Sequence, residues 1–160
     1  MRVFANFAQM AAIRKTFRKH ERLTLKREVD ELFSPGSKSF AAYPIRAVCR
    51  LAGFSVSEVK VLMSVSKRHF HHAVDRNRAK RQMREAYRAN KAIIIDAVNS
   101  LNATAERYSL NVAFIWLSDE PQDSALVERK IKNLLHRMAE SLPAKTGDTP
   151  NLKAVGHESS

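Results

Sequence analysis

Ser64-Val65-Ser66-Lys67-Arg68, then His72-Ala73-Val74-Asp75-Arg76-Asn77-Arg78-Ala79-Lys80-Arg81, then Arg84-Glu85-Ala86-Tyr87-Arg88 is the stretch that decides the fold. Its front end closes an apolar strand over residues 59–66 (VKVLMSVS). After a short loop, from about Val74 into the nineties, Ala79, Met83, Ala86, Tyr87, Asn90, Ile94 and Ala97 recur on one side at ~100° per residue, the helical period. Lys80, Arg84, Arg88, Arg81 and Arg78 fall opposite. One long helix can therefore pack its apolar face on a sheet and turn a cationic face outward.

Outward from this stretch, strand and helix periods alternate. Residues 42–51 read as a strand, with Ile45, Ala47, Cys49 and Leu51 on one face and Pro44, Arg46, Val48 and Arg50 on the other. Residues 53–58 read as a turn, 99–108 as a polar connection, and 110–117 (LNVAFIWL) as a further strand. Residues 22–33 predict a short helix capped by Thr24, with Leu25, Val29, Leu32 and Phe33 on its apolar face. Ser34-Pro35-Gly36-Ser37 stops it. Residues 124–142 repeat Val127, Ile131, Leu134, Leu135, Met138 and Leu142 with helical period, and residues 143–160 read as a disordered tail. The order helix, strands, helix, strand, helix predicts an α+β fold, a small α/β sandwich.

Charge narrows the function. The chain has 160 residues, 28 Lys and Arg against 16 Asp and Glu, and a net charge of +12. Residues 1–27 hold eight basic residues and one acid, and residues 67–91 nine against two; the remainder is slightly acidic. Such clustering is the footprint of phosphate contacts, with a polyanion as partner. Residues 1–20 contain no acid, and Phe4, Phe7, Met10 and Ile13 are loosely spaced. They read as a basic arm that orders on its partner, in preference to an organelle transit peptide. The single Cys49 excludes an internal disulfide and a cysteine-based zinc finger. Four glycines leave neither GxxxxGK[ST] nor GxGxxG, and no apolar run approaches membrane-spanning length.

The composite of S-V-S-K-R, A-V-x-R-N-R-x-K-R and R-E, in this order and spacing, resembles the signature of the protein subunit of bacterial ribonuclease P. The likeness spans roughly residues 22–142: Arg22, Leu23, Lys26, Val29 and Phe33 resemble the family's first helix, and residues 111–117 its last strand. It implies the order αβββαβα, with a four-stranded sheet and a left-handed βαβ crossover, where right-handed is the general rule. The implied domains are a basic arm at 1–21, an RNA-binding domain at 22–142 and a tail at 143–160. The implied function is removal of the 5′ leader from precursor tRNA, with chemistry carried by a catalytic RNA subunit and its bound Mg²⁺. The protein then supplies no catalytic residue and no metal ligand, and neither membrane nor DNA is a partner; its place is the bacterial cytoplasm. Lys67, Arg68, Arg76, Asn77, Arg78, Lys80, Arg81, Arg84 and Arg88 are the RNA-binding candidates, since guanidinium forks grip phosphate bidentately. Phe33, Phe40, Tyr43, Arg46 and Val48 are the leader-binding candidates by position, aromatics stacking on unpaired bases and Arg46 pairing with phosphate. The 68–72 loop departs from the family: it lacks a glycine and is one residue longer.

Other residues weigh less. His69, His71 and His72 have no cysteine or carboxylate at ligand spacing and suit a loop near RNA better than zinc. Cys49 reads as a small core residue, Trp116 as strand packing, and Asp119 and Glu120 as a turn before Pro121. The rival functions are a ribosomal-type RNA-binding module outside catalysis, and a nuclease in its own right using the histidines.

Overall fold

The alternating strand patterns meet in one four-stranded sheet with helices on both faces. A computed structural model describes residues 16–53, 58–102 and 108–142; the 1–15 portion of the arm and the 143–160 tail lie outside the described residues. The elements are a 3₁₀ turn at Lys19–Glu21, α1 (Lys26–Leu32), β1 (Lys38–Ala42), β2 (Ile45–Gly53), β3 (Val59–Ser64), α2 (Ala73–Asn90), α3 (Ala92–Leu101), β4 (Tyr108–Trp116) and α4 (Ser124–Ser141). The strand order is β1-β2-β4-β3. β1 and β2 form an antiparallel hairpin, β2 and β4 pair antiparallel, and β3 and β4 pair parallel. The β3–β4 connection is thus a crossover, made by α2 and α3.

β4 lies between two neighbours and is buried on both sides, apolar toward the main core and mixed on the other, where Ser109 and Asn111 precede Ala113 and Ile115. Leu110, Val112, Phe114 and Trp116 join Ile45, Ala47 and Cys49 in the main core under α2, α3 and α4. Met83, Ala86 and Tyr87 of α2, and Ile131, Leu134, Leu135 and Met138 of α4, close it from above. On the opposite face, α1 sets Leu32 over Val48 and Ala113, with Leu23 completing this smaller cluster. Within β2 the two faces are those assigned, Ile45, Ala47 and Cys49 entering the main core and Val48 lying under α1. The strand starts only at Ile45, however: Ala42 ends β1 and Pro44 lies in the turn between them. Phe70 anchors the loop before α2 against Trp116, ring centroids 6.2 Å apart, and the Trp116 indole N–H donates to the Ser118 carbonyl at 2.8 Å.

Three elements differ from the sequence reading. The long helix is two helices, so the order is αβββααβα. Asn90 turns its side-chain amide back onto the Ala86 carbonyl at 2.9 Å, a local competition with the helix ladder. Lys91 follows as a one-residue break with helical φ and ψ, and α3 carries Ile94 and Val98 into the same core, with Leu101 also buried, running past the expected connection at Asn99. Second, α1 begins at Lys26 and Thr24 caps nothing; Arg22 bridges to Val61 and the Leu23 N–H donates to the Val61 carbonyl, so this segment lies extended along the β3 edge. Third, β1 is a short polar edge strand, Lys-Ser-Phe-Ala-Ala, that the Tyr43-Pro44 turn folds back onto β2. Its open edge is covered by α4: Arg137 donates to the Ala41 carbonyl at 2.8 Å and Lys38 to the Ser141 carbonyl at 2.7 Å.

Residues 16–21, which fall in the sequence-defined arm, pack onto the domain. Phe17 meets Tyr87 edge-on at 5.7 Å, and Arg22 lies over the Phe17 ring. The Lys91 ammonium, at 5% exposure for the residue, donates to the Thr16 carbonyl and to the Glu21 carboxylate.

Candidate nucleic-acid interface

Helical spacing sets Asn77, Arg81, Arg84 and Arg88 at i, i+4, i+7 and i+11, a stripe of about 16 Å along α2. Arg78 and Lys80 flank it. Asn77, Arg78, Arg81 and Arg88 are exposed and Lys80 and Arg84 half-exposed. Neither a hydrogen bond nor an ion pair within the described residues engages the side chains of Arg78, Lys80, Arg81 or Arg84, so their guanidinium and ammonium groups face solvent ready for an external anion. Arg88 is tied to Glu85 one turn back.

Arg76 is different. Its guanidinium Nη1 donates to the carbonyls of Phe70 at 2.9 Å and His71 at 2.8 Å. The first arginine of Arg-Asn-Arg thus braces the loop that precedes α2. Ser66 completes the brace, its carbonyl accepting from the His69 and Phe70 N–H groups and its hydroxyl from that of Arg68. His69 Nδ1 lies 2.7 Å from an Asp119 carboxylate oxygen, fastening the loop to the segment after β4. Asp119, read from sequence only as a turn residue, is therefore part of the support. The result is a fixed platform that exposes Lys67, Arg68, His71 and His72 at the start of α2.

The five leader-binding candidates do not form one set. Arg46 points from β2 to the α1 side and is exposed, its Nε donating to Ser39 Oγ at 2.8 Å. Phe33, at the C-terminus of α1, is 49% exposed, and Tyr43, in the hairpin turn, 62%. Val48 lies buried beneath α1 as a packing residue. Phe40 is on the other face: it pairs with Ala47, whose side chain enters the main core, and Arg137 of α4 stacks over its ring at 5.4 Å. A two-residue hairpin turn fixes that alternation, so Phe40 cannot share the α1 side with Arg46.

Register joins the two regions. Ala41, Arg46, Ile115 and Ser64 stand abreast across all four strands. Arg46 is exposed in this row while Ile115 packs against the cluster under α1, and Lys60–Glu28 and Arg50–Ser34 tie α1 and its exit to the sheet. Ser64 leads directly into Lys67 and Arg68. Exposed cations thus stand on the α1 side of the sheet at Arg46, in the loop at Lys67 and Arg68, and along α2, groups that suit the phosphates of a nucleic-acid backbone.

Cys49 is buried in β2, and burial pushes its thiol up to about 11, Lys38 opposing; this suits a core residue, not a nucleophile. Among the described residues no helix is long and apolar enough to cross a membrane.

A family model described as Ribonuclease P matches residues 17–139, a span that includes the docked Phe17 segment. The chain is similar to the ribonuclease P protein component of Porphyromonas gingivalis, 40% identical over 127 residues, covering 79% of this chain and 88% of that protein. It is similar to that of Chlorobium phaeobacteroides at 30% over 132 residues, covering 77% and 88%. The fold is similar to that of the ribonuclease P protein from Thermotoga maritima, with a TM-score of 0.55 at 24% identity, covering 73% of this chain and 96% of that one. The chain belongs to the ribonuclease P protein family.

Proposed function

We propose that this chain binds the catalytic RNA of ribonuclease P through the α2 stripe and the Lys67–Arg68 loop, and guides the 5′ leader of precursor tRNA along the α1 side of the sheet at Arg46. The single observation that carries the reading is that four α2 cations have no hydrogen-bond or ion-pair partner among the described residues, on a helix whose other face is core. Arg78, Lys80, Arg81 and Arg84 replace counterions on the RNA backbone, which makes affinity steeply salt-dependent. The leader, single-stranded, lies beside α1 with Phe33 and Tyr43 offering flat apolar surface to unpaired bases and Arg46 a fork to one phosphate.

The chemistry belongs to the RNA subunit. Mg²⁺ bound to that subunit would supply an activated water for attack on the phosphodiester. The part of this chain is to hold RNA and substrate in place. A measurement of RNA affinity against salt tests the assignment. Replacing Arg78, Lys80, Arg81 and Arg84 together by Ala flattens the log–log slope by roughly three units. An unchanged slope places the RNA on another surface.

A further inference from the structure

Between α2 and α4 runs a groove of about 460 Å³, within the range of a small-ligand site. Its lining is not what a phosphate track alone requires. Arg78 and Arg81 stand on it, but so do the carboxylates of Glu85 and Glu128, with Ala86 and Ala89 between. A carboxylate beside a phosphate is repulsive. It becomes favourable only where it accepts hydrogen bonds from the ligand. Ala89 is exposed on the groove and Ala86 is buried at its base, so no long side chain rises between them and a flat ring can approach the helix closely.

The carboxylates are not equivalent. Glu85 is engaged by Arg88. Glu128 is exposed on the first turns of α4, and its nearest partner is the Asn90 side-chain amide at 3.4 Å, a long contact. Glu128 therefore retains acceptor capacity inside a cationic groove. Among the four bases, guanine alone carries two adjacent donors, N1–H and N2–H, on its Watson–Crick edge, matched by the two oxygens of one carboxylate. Adenine and cytosine offer an amino group beside an acceptor, and uracil a single N–H between two carbonyls.

We infer that this groove takes up one unstacked guanine of a bound RNA, Glu128 reading its Watson–Crick edge while Arg78 and Arg81 hold the flanking phosphates. The inference rests on the RNA-binding reading above and adds a base preference that phosphate contacts cannot supply. The test uses the full chain and three labelled single-stranded ribo-oligomers, UUGUU, UUIUU and UUUUU, where inosine lacks only the N2 amino group. Wild type binds the guanosine oligomer about tenfold more tightly than the inosine one, the value of one charge-assisted hydrogen bond. Glu128→Ala, a change at an exposed position, binds all three alike. It binds the uridine oligomer at least as well as wild type does, because a negative charge has gone. Equal binding of all three by wild type, or a preference that survives in Glu128→Ala, overturns the groove assignment alone. Failure to bind any oligomer and the catalytic RNA overturns both readings together.

Discussion

The ammonium of Lys91 lies 2.6 Å from a carboxylate oxygen of Glu21, seventy residues earlier in the chain, and the two side chains are 6% and 12% exposed. The pair fastens the segment before α1 to the junction of α2 and α3. Removing one partner of a buried ion pair strands the other charge, which costs about 3 kcal/mol. We expect Glu21→Ala to lower the unfolding free energy by that amount, seen as a lower urea midpoint with an unchanged slope of the transition. Lys91→Met combined with Glu21→Leu recovers much of the loss, since no charge is then left unpaired. Equal losses for the single and double variants would mean the pair is not the source.

Arg76 and Arg81 separate support from contact. Arg76→Ala leaves two loop carbonyls without a charged donor and reduces stability by roughly 2 kcal/mol. Arg81→Ala removes no hydrogen bond or ion pair among the described residues and stays within about 0.5 kcal/mol of wild type, while its RNA salt slope falls by about one unit. Thermal unfolding and salt titration on the same two variants check both halves.

Arg46 and Phe40 divide the two sheet faces. Arg46→Ala weakens holoenzyme binding of precursor tRNA by about 1 kcal/mol and leaves mature tRNA binding unchanged. Phe40→Ala lowers stability by about 2 kcal/mol, less than a fully buried phenylalanine, and leaves the precursor-to-mature ratio unchanged. Equal losses for both tRNAs in Arg46→Ala would take Arg46 off the leader path.

Alkaline pH should loosen the fold. Burial raises the Cys49 thiol from 9.0 to about 11, and burial, with Glu21 adding to it, raises the Tyr87 hydroxyl. Both groups bind more protons folded than unfolded, so stability is full below about pH 9 and declines as pH climbs toward 11. Urea midpoints across this range follow that decline, and Cys49→Ala shallows its lower part. At pH 8 the native thiol resists alkylation and reacts on unfolding.

What the sequence reveals depends on range. The α2 stripe is legible because Arg78, Arg81, Arg84 and Arg88 obey one period within one element, and Ile45, Ala47 and Cys49 likewise declare their face. The break at Lys91 is not, because its cause combines a side-chain competition at Asn90 with a partner seventy residues away. β1 escapes notice because Lys38 and Ser39 lack strand character, and the face of Phe40 is undefined until β1 exists. Glu21 reads as one acid in a basic arm, with no sign that it is buried. The Glu128 groove needs α2 and α4 side by side, a relation that no local pattern encodes.

This chain is expected to act only with a catalytic RNA, and reconstituted cleavage decides the matter. Precursor tRNA is offered to protein alone, to RNA alone at low Mg²⁺, and to the mixture. Release of an intact 5′ leader by the mixture and negligible cleavage by either component are expected. Cleavage by the protein alone, or a mixture no faster than the RNA alone, would contradict that expectation.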